Sequence, residues 1–201
     1  MTSIFRHFSL FAVALAGAVM IATPASAVPT VSVSGSSTVV PGSLLQLDVM
    51  AAGFTDLYAY QFDLTFDPAA FAVTNVIEGS FLSAVGSTFF DGGQSDNATG
   101  TVTFICNSLI GPGSGATGGG SLAQLTFLAL PAFSGSAYFS VNNLIALDSS
   151  LNMLDVALQG ATVAAVPEPS TLLLSLAGLG VVGIAASVRR GRRTVAAQAS
   201  A

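Results

Sequence analysis

Between Val28 and Val166 the chain alternates apolar and polar residues with a period of two. Val31 and Val33 alternate with Ser32 and Ser34. After the Pro41-Gly42 turn, Leu45, Leu47 and Val49 alternate with Gln46 and Asp48. The clearest stretch places Tyr60, Phe62, Leu64 and Phe66 on one face and Gln61, Asp63, Thr65 and Asp67 on the other, and Pro68 closes it. This period is that of half-buried strands. Further strands are predicted near 71–76, 87–90, 101–106, 122–130, 137–141 and 156–163, separated by turns bearing Gly, Asn and Ser. Many short strands with no intervening helical pattern predict an all-β fold, an antiparallel jelly-roll β-sandwich over residues 28–165.

At both ends the alternation gives way to unbroken apolar runs. Arg6 and His7 precede an apolar stretch from Phe8 to Ala22, and Ala25-Ser26-Ala27 follows. A basic start, an apolar centre and small residues at Ala25 and Ala27 describe a secretory signal peptide, residues 1–27, cut after Ala27. At the other end, seventeen charge-free residues from Leu172 to Val188 are followed by Arg189, Arg190, Arg192 and Arg193. A helix of that length would be about 25 Å long, enough for one transmembrane span if the bilayer thins and the arginines snorkel. Arginines hold their end in the cytoplasm, so the body is expected on the far side of the membrane. Pro167 and Pro169 make the approach to the span a stiff connector, and residues 194–201 form a short tail.

Charge narrows the function classes. The body carries nine carboxylates, Asp48, Asp56, Asp63, Asp67, Glu78, Asp91, Asp96, Asp148 and Asp155, and no Lys, Arg or His. An acidic surface repels nucleic acid. With no cationic base or clamp, a Ser or Cys nucleophile has no ordinary activation, so no catalytic residues are assigned and no enzyme is expected. Asp63 and Asp67 would lie about 13 Å apart along one strand, too far for a glycosidase pair, and read as a solvated face. Pairing across strands, for example with Asp48, stays open. Cys106, the one cysteine, cannot form an intramolecular disulfide and reads as a small core residue.

The loop Asp91-Gly-Gly-Gln-Ser-Asp-Asn97 is either an ordinary polar turn or a source of oxygen ligands for Ca²⁺ from Asp91, Asp96 and Asn97; no other cofactor is expected. Asn97-Ala98-Thr99 matches a glycosylation sequon. The remaining phenylalanines read as core, which leaves Tyr58 and Tyr138 as aromatic platforms for a sugar. Gly111 to Gly120 reads as a flexible loop.

Two resemblances add to this reading. Pro167, Glu168 and Pro169, followed by the apolar run and the arginine cluster, resemble the PEP-CTERM sorting signal of exopolysaccharide-producing bacteria. That resemblance implies recognition by an exosortase, a membrane-embedded cysteine transpeptidase. It also implies an inner-membrane precursor with a periplasmic body, passed on to the cell surface or extracellular matrix. The stretch from Asp56 to Phe71, with Gly118 to Phe127 and Leu147 to Asn152, resembles strands of cohesin domains, with Leu151 where that family has a turn glycine. It implies a nine-stranded sandwich related to carbohydrate-binding modules.

The expected function is therefore an exported, non-enzymatic interaction module for adhesion or protein binding, its partner a dockerin-like module. Two alternatives stand beside it: a carbohydrate-binding module for matrix polysaccharide, and a passive coat protein.

Overall fold

The computed structural model describes residues 28–166. The signal peptide with Ala25 and Ala27, the motif Pro167-Glu168-Pro169, and the span with Arg189, Arg190, Arg192 and Arg193 lie outside the described residues. Among the described residues no helix is long and apolar enough to cross a membrane.

Two sheets form the body. The first holds, in spatial order, β11 (Ala157–Gln159), β1 (Thr30–Gly35), β3 (Leu44–Leu57), β9 (Ala116–Ala129) and β5 (Phe71–Glu78). The second holds β2 (Thr38–Val39), β12 (Ala161–Ala165), β10 (Ser136–Leu147), β4 (Ala59–Thr65), β8 (Thr101–Leu109) and β6 (Thr88–Asp91), and β7 (Gln94–Asp96) also pairs with β8. Nine of these strands have four or more residues. One short helix, α1 (Ser80–Ser83), buries Phe81 and Leu82 between β5 and β6 in the chain. Pairing is antiparallel except at two edges, where β1 lies parallel to β11 and β12 parallel to β2. The predicted strand over 156–163 is divided at Gly160, where a Cβ would stand 2.2 Å from the Tyr138 hydroxyl. The chain therefore leaves one sheet there and joins the other.

The core follows from the alternation. Tyr60, Phe62, Leu64 and Phe66 are buried as their spacing demands, as are Val31, Val33, Leu45, Leu47 and Val49. Phe71 and Phe127 from the first sheet meet Phe139 from the second, with ring centroids 4.9 and 5.0 Å apart in tilted and edge-on arrangements. These distances suit the ring quadrupoles, and the aromatic cluster joins the two layers. Polar groups also cross between the sheets. The buried Tyr60 hydroxyl donates to the Leu122 carbonyl at 2.5 Å, and burial pushes the phenol's pKa up. Glu78 accepts from Thr88 and from buried Asn107, at 2.6 and 2.9 Å.

The glycine-rich stretch differs from its expectation as a loop. Ala116 to Gly120 already belong to β9, and a Cβ at Gly119 would lie 2.5 Å from the Ala51 carbonyl oxygen. Those glycines are there because two backbones approach closely, a role that composition alone does not separate from flexibility. Truncating the layer-joining ring, Phe139→Ala, is expected to lower unfolding free energy by about 3–5 kcal/mol in chemical denaturation.

Candidate functional site

Strand register lays out the outer face of the second sheet. One row reads Leu147, Ala59, Ser108 and Phe89, and the next reads Ile145, Gln61, Cys106 and Asp91. Beyond them, Asn142 stands opposite Asp63, and Ser140 opposite Thr65.

Two β-bulges shape this face. On β8, Thr103 and Phe104 together oppose the single residue Asp63, and Phe104 takes the left-handed conformation at φ 63°. On β10, Asn143 and Leu144 together oppose Phe62, and Asn143 sits at φ 51°. Asp63 lies between the two and holds both. One carboxylate oxygen accepts the Phe104 N–H at 2.8 Å, and the other accepts the Asn143 side-chain amide at 2.7 Å. A bulge re-aims side chains, and here it inverts the face of everything after Thr103. Val102, Ile105, Asn107 and Leu109 point inward, while Phe104 is 52% exposed.

This result corrects three sequence-based expectations. Cys106 is half-exposed on the outer face and not in the core, because the bulge shifts its position by one. Burial and the nearby Asp91 carboxylate push the thiol's pKa up, which keeps it a poor nucleophile. Not every phenylalanine is core: Phe89 and Phe104 are more than half exposed. Asp63 is a clamp with named donors rather than a merely solvated carboxylate.

Phe89, Phe104, Ile145, Leu147, Ala59 and Cys106 are among the residues lining a depression of about 230 Å³. Beside it lies a polar strip. Thr65 and Ser140 share a 2.7 Å hydrogen bond, and the Asn142 amide donates to Thr65 at 3.0 Å. The face is thus half apolar and half hydrogen-bonding.

The other singled-out residues are placed as follows. Asp48 lies on the outer face of the opposite sheet, accepting from Ser121 and Gln124 at 3.0 and 3.3 Å, so it does not pair with Asp63. Asp67 accepts from the Ala69 N–H at 2.8 Å. Asp91 accepts from the Gly93 N–H at 2.9 Å. Asp96 accepts from Ala98 and Thr99, and these bonds hold its carboxyl below the usual range. Asn97 bonds the edge of β5 through both ends of its amide, at 2.7 and 3.1 Å to the Val73 N–H and carbonyl. Each of the three residues considered for Ca²⁺ is therefore engaged with backbone. Among the described residues no three His, Cys, Asp or Glu side chains converge on a metal position. Of the two tyrosines considered as sugar platforms, Tyr58 donates its hydroxyl to Gly111 at 2.5 Å, while Tyr138 is 57% exposed.

At the far end of the sandwich, Asp56 accepts from Ser149 and from the Gly115 N–H, and Asp148 accepts from Ser150 and Asn152. These donors hold both carboxyls below the usual range, with the Ser149 hydroxyl the largest influence on Asp56 and Asn152 the largest on Asp148. The turn forms with Leu151 at φ 64°, the conformation a glycine would adopt more easily.

Replacing the clamp by Asp63→Ala is expected to lower stability by about 1–2 kcal/mol, because two hydrogen bonds to a charged group are lost from a half-exposed site. The Phe104 and Asn143 amide resonances should shift together in an NMR spectrum. Shifts confined to one of them would show that the bulges are independent.

Comparison with known proteins supplies the family. A family model for the cohesin domain matches residues 29–162, and one for the PEP-CTERM protein-sorting motif matches residues 165–190. Among solved structures, a non-cellulosomal cohesin from the archaeon Archaeoglobus fulgidus is 20% identical, with a TM-score of 0.59 over 72% of this chain and 96% of that one. The cohesin module of a Clostridium perfringens family 33 glycoside hydrolase is 15% identical, with a TM-score of 0.56 over 69% and 96%. A type I cohesin–dockerin complex from Clostridium thermocellum is 12% identical, with a TM-score of 0.57 over 70% and 100%. Among curated proteins none matches the chain. Cohesin domains are binding modules without catalytic activity, which agrees with a body lacking His, Lys and Arg. With two thirds of its length matched by that model and its two sheets overlaid on these structures, the chain belongs to the cohesin family and carries a PEP-CTERM sorting motif.

Proposed function

We propose that the outer face of β10, β4, β8 and β6 is the docking surface of an exported interaction module, and that its partner is a protein module of the dockerin kind. The observation that carries this reading is the exposure of Phe89 and Phe104 on either side of one depression, with Phe104 held outward by the Asp63 clamp. An apolar side chain fixed in a strained backbone conformation is pre-ordered, so burying it against a partner costs little entropy. The Clostridium thermocellum relative is a cohesin in complex with a dockerin. A partner for this face would bring apolar side chains to the depression and donors to the polar strip. Because the body has no cation, positive charge would have to come from the partner.

Delivery follows from the tail. The precursor is held in the inner membrane by Leu172–Val188, and an exosortase recognises Pro167, Glu168 and Pro169 and removes the tail as the body moves to the cell surface or matrix. The match of residues 165–190 to the sorting motif supports this.

Burying each phenylalanine is worth about 2 kcal/mol, so Phe104→Asp or Phe89→Asp is expected to weaken binding to a dockerin module from the same host by roughly 30-fold or more. Titration calorimetry reads that loss. Tyr138→Ala should leave it unchanged. Matrix polysaccharide retained by the wild type and lost in Tyr138→Ala would instead favour the carbohydrate-binding alternative.

Sorting is tested separately, by intact mass and fractionation in an exopolysaccharide-producing host. Wild type should lack both terminal segments and leave the inner membrane, whereas Glu168→Ala keeps its tail there. Wild type that also keeps its tail in the membrane defeats the sorting proposal.

A further inference from the structure

We infer that, before the tail is removed, the end of the sandwich from which it leaves rests on the lipid surface. This rests on the sorting reading above, in which Leu172–Val188 spans the membrane. The last described residue, Val166, donates its N–H to the Val39 carbonyl at 2.8 Å, and Ala165 donates to Gly135 at 2.8 Å. The folded body is therefore tied down to within one residue of Pro167. Only Pro167 to Thr171 separate it from the first residue of the span. Fully extended, that stretch reaches about 20 Å, part of which is taken up by the headgroup layer. The fourteen residues of β3 make the body about 45 Å long, so the tether brings this end to the membrane and keeps the opposite end away.

The surface at this end fits that position. Leu44 is 66% exposed, Val40 47% and Val166 37%, and Pro131 and Ala132 are exposed beside them. Residues 36–44, 130–135 and 164–166, which build this tip, contain no charged side chain. Asp67 and Asp96 lie at the same end on the side of β4 and β8, and each is turned back onto its own backbone. The opposite end carries Asp56 near the close of β3, Asp148 just after β10 and Asp155 just before β11, with no cation to offset them. An anionic bilayer repels that end and accepts the apolar one.

The test uses the full chain, tail retained, in liposomes of phosphatidylethanolamine and phosphatidylglycerol that include spin-labelled lipid as quencher. In a Cys106→Ser background, an environment-sensitive dye is attached at Leu44→Cys or at Leu151→Cys. The dye at 44 should lose most of its fluorescence and the dye at 151 should keep it. Adding Val40→Asp and Val166→Asp should restore fluorescence at 44 while the circular dichroism stays unchanged. A dye at 44 that stays bright in protein resisting carbonate extraction overturns the inference and leaves the span intact. Quenching at 44 that needs a co-reconstituted exosortase also overturns it, by assigning the tip to a protein partner. Release of the protein by carbonate overturns the span, and this inference with it.

Discussion

No cation lies between Val28 and Val166, so a carboxylate in this body can be answered only by a neutral donor. Eight of the nine carboxylates have one. The aspartates accept backbone N–H groups or short side chains at places where the chain turns, bulges or changes layer, and Glu78 accepts from two strands of the opposite sheet. Elsewhere a salt bridge would join two distant side chains; here six of the charges, on Asp56, Asp63, Asp67, Asp91, Asp96 and Asp148, fix backbone N–H groups in place. Charge-assisted bonds to N–H groups are stronger than neutral ones, and they tolerate left-handed residues such as Phe104 and Leu151 that would otherwise be costly.

Much of the fold is legible in the alternation. Tyr60 to Phe66 names its inward face without ambiguity, because four large apolar residues fall on one side and four polar ones on the other. The run Thr-Val-Thr-Phe-Ile-Cys-Asn-Ser-Leu in β8 does not. Val102 and Phe104 argue for one face, and Ile105 and Leu109 for the other. Both are correct, on either side of a bulge that period-two reading cannot contain. The docking depression was hidden for that reason: its two aromatics look like core residues until the bulge places one of them outside. The glycines of β9 were hidden differently, because close backbone approach and loop flexibility select the same residue.

The extra residue at each bulge gives the outer face its division. Upstream of Asp63 on β4, Ala59 and Gln61 are flanked by Ile145, Leu147 and Cys106; downstream, Thr65 is flanked by Ser140 and Thr101. One carboxylate thus sits on the boundary between an apolar and a hydrogen-bonding half. Fold and interaction surface depend on the same residue.

The parallel pairing of β12 with β2 has a mechanical consequence. The last strand before the tail is β12, whose flanks are bonded to β2 on one side and β10 on the other. A pull on Val166 directed along the strand loads both ladders in shear, the four register pairs with β10 and the two with β2 together. Peeling from an edge would break them one after another. A body that is tethered through this end and holds a partner on its sheet face is built to bear a pull between the two.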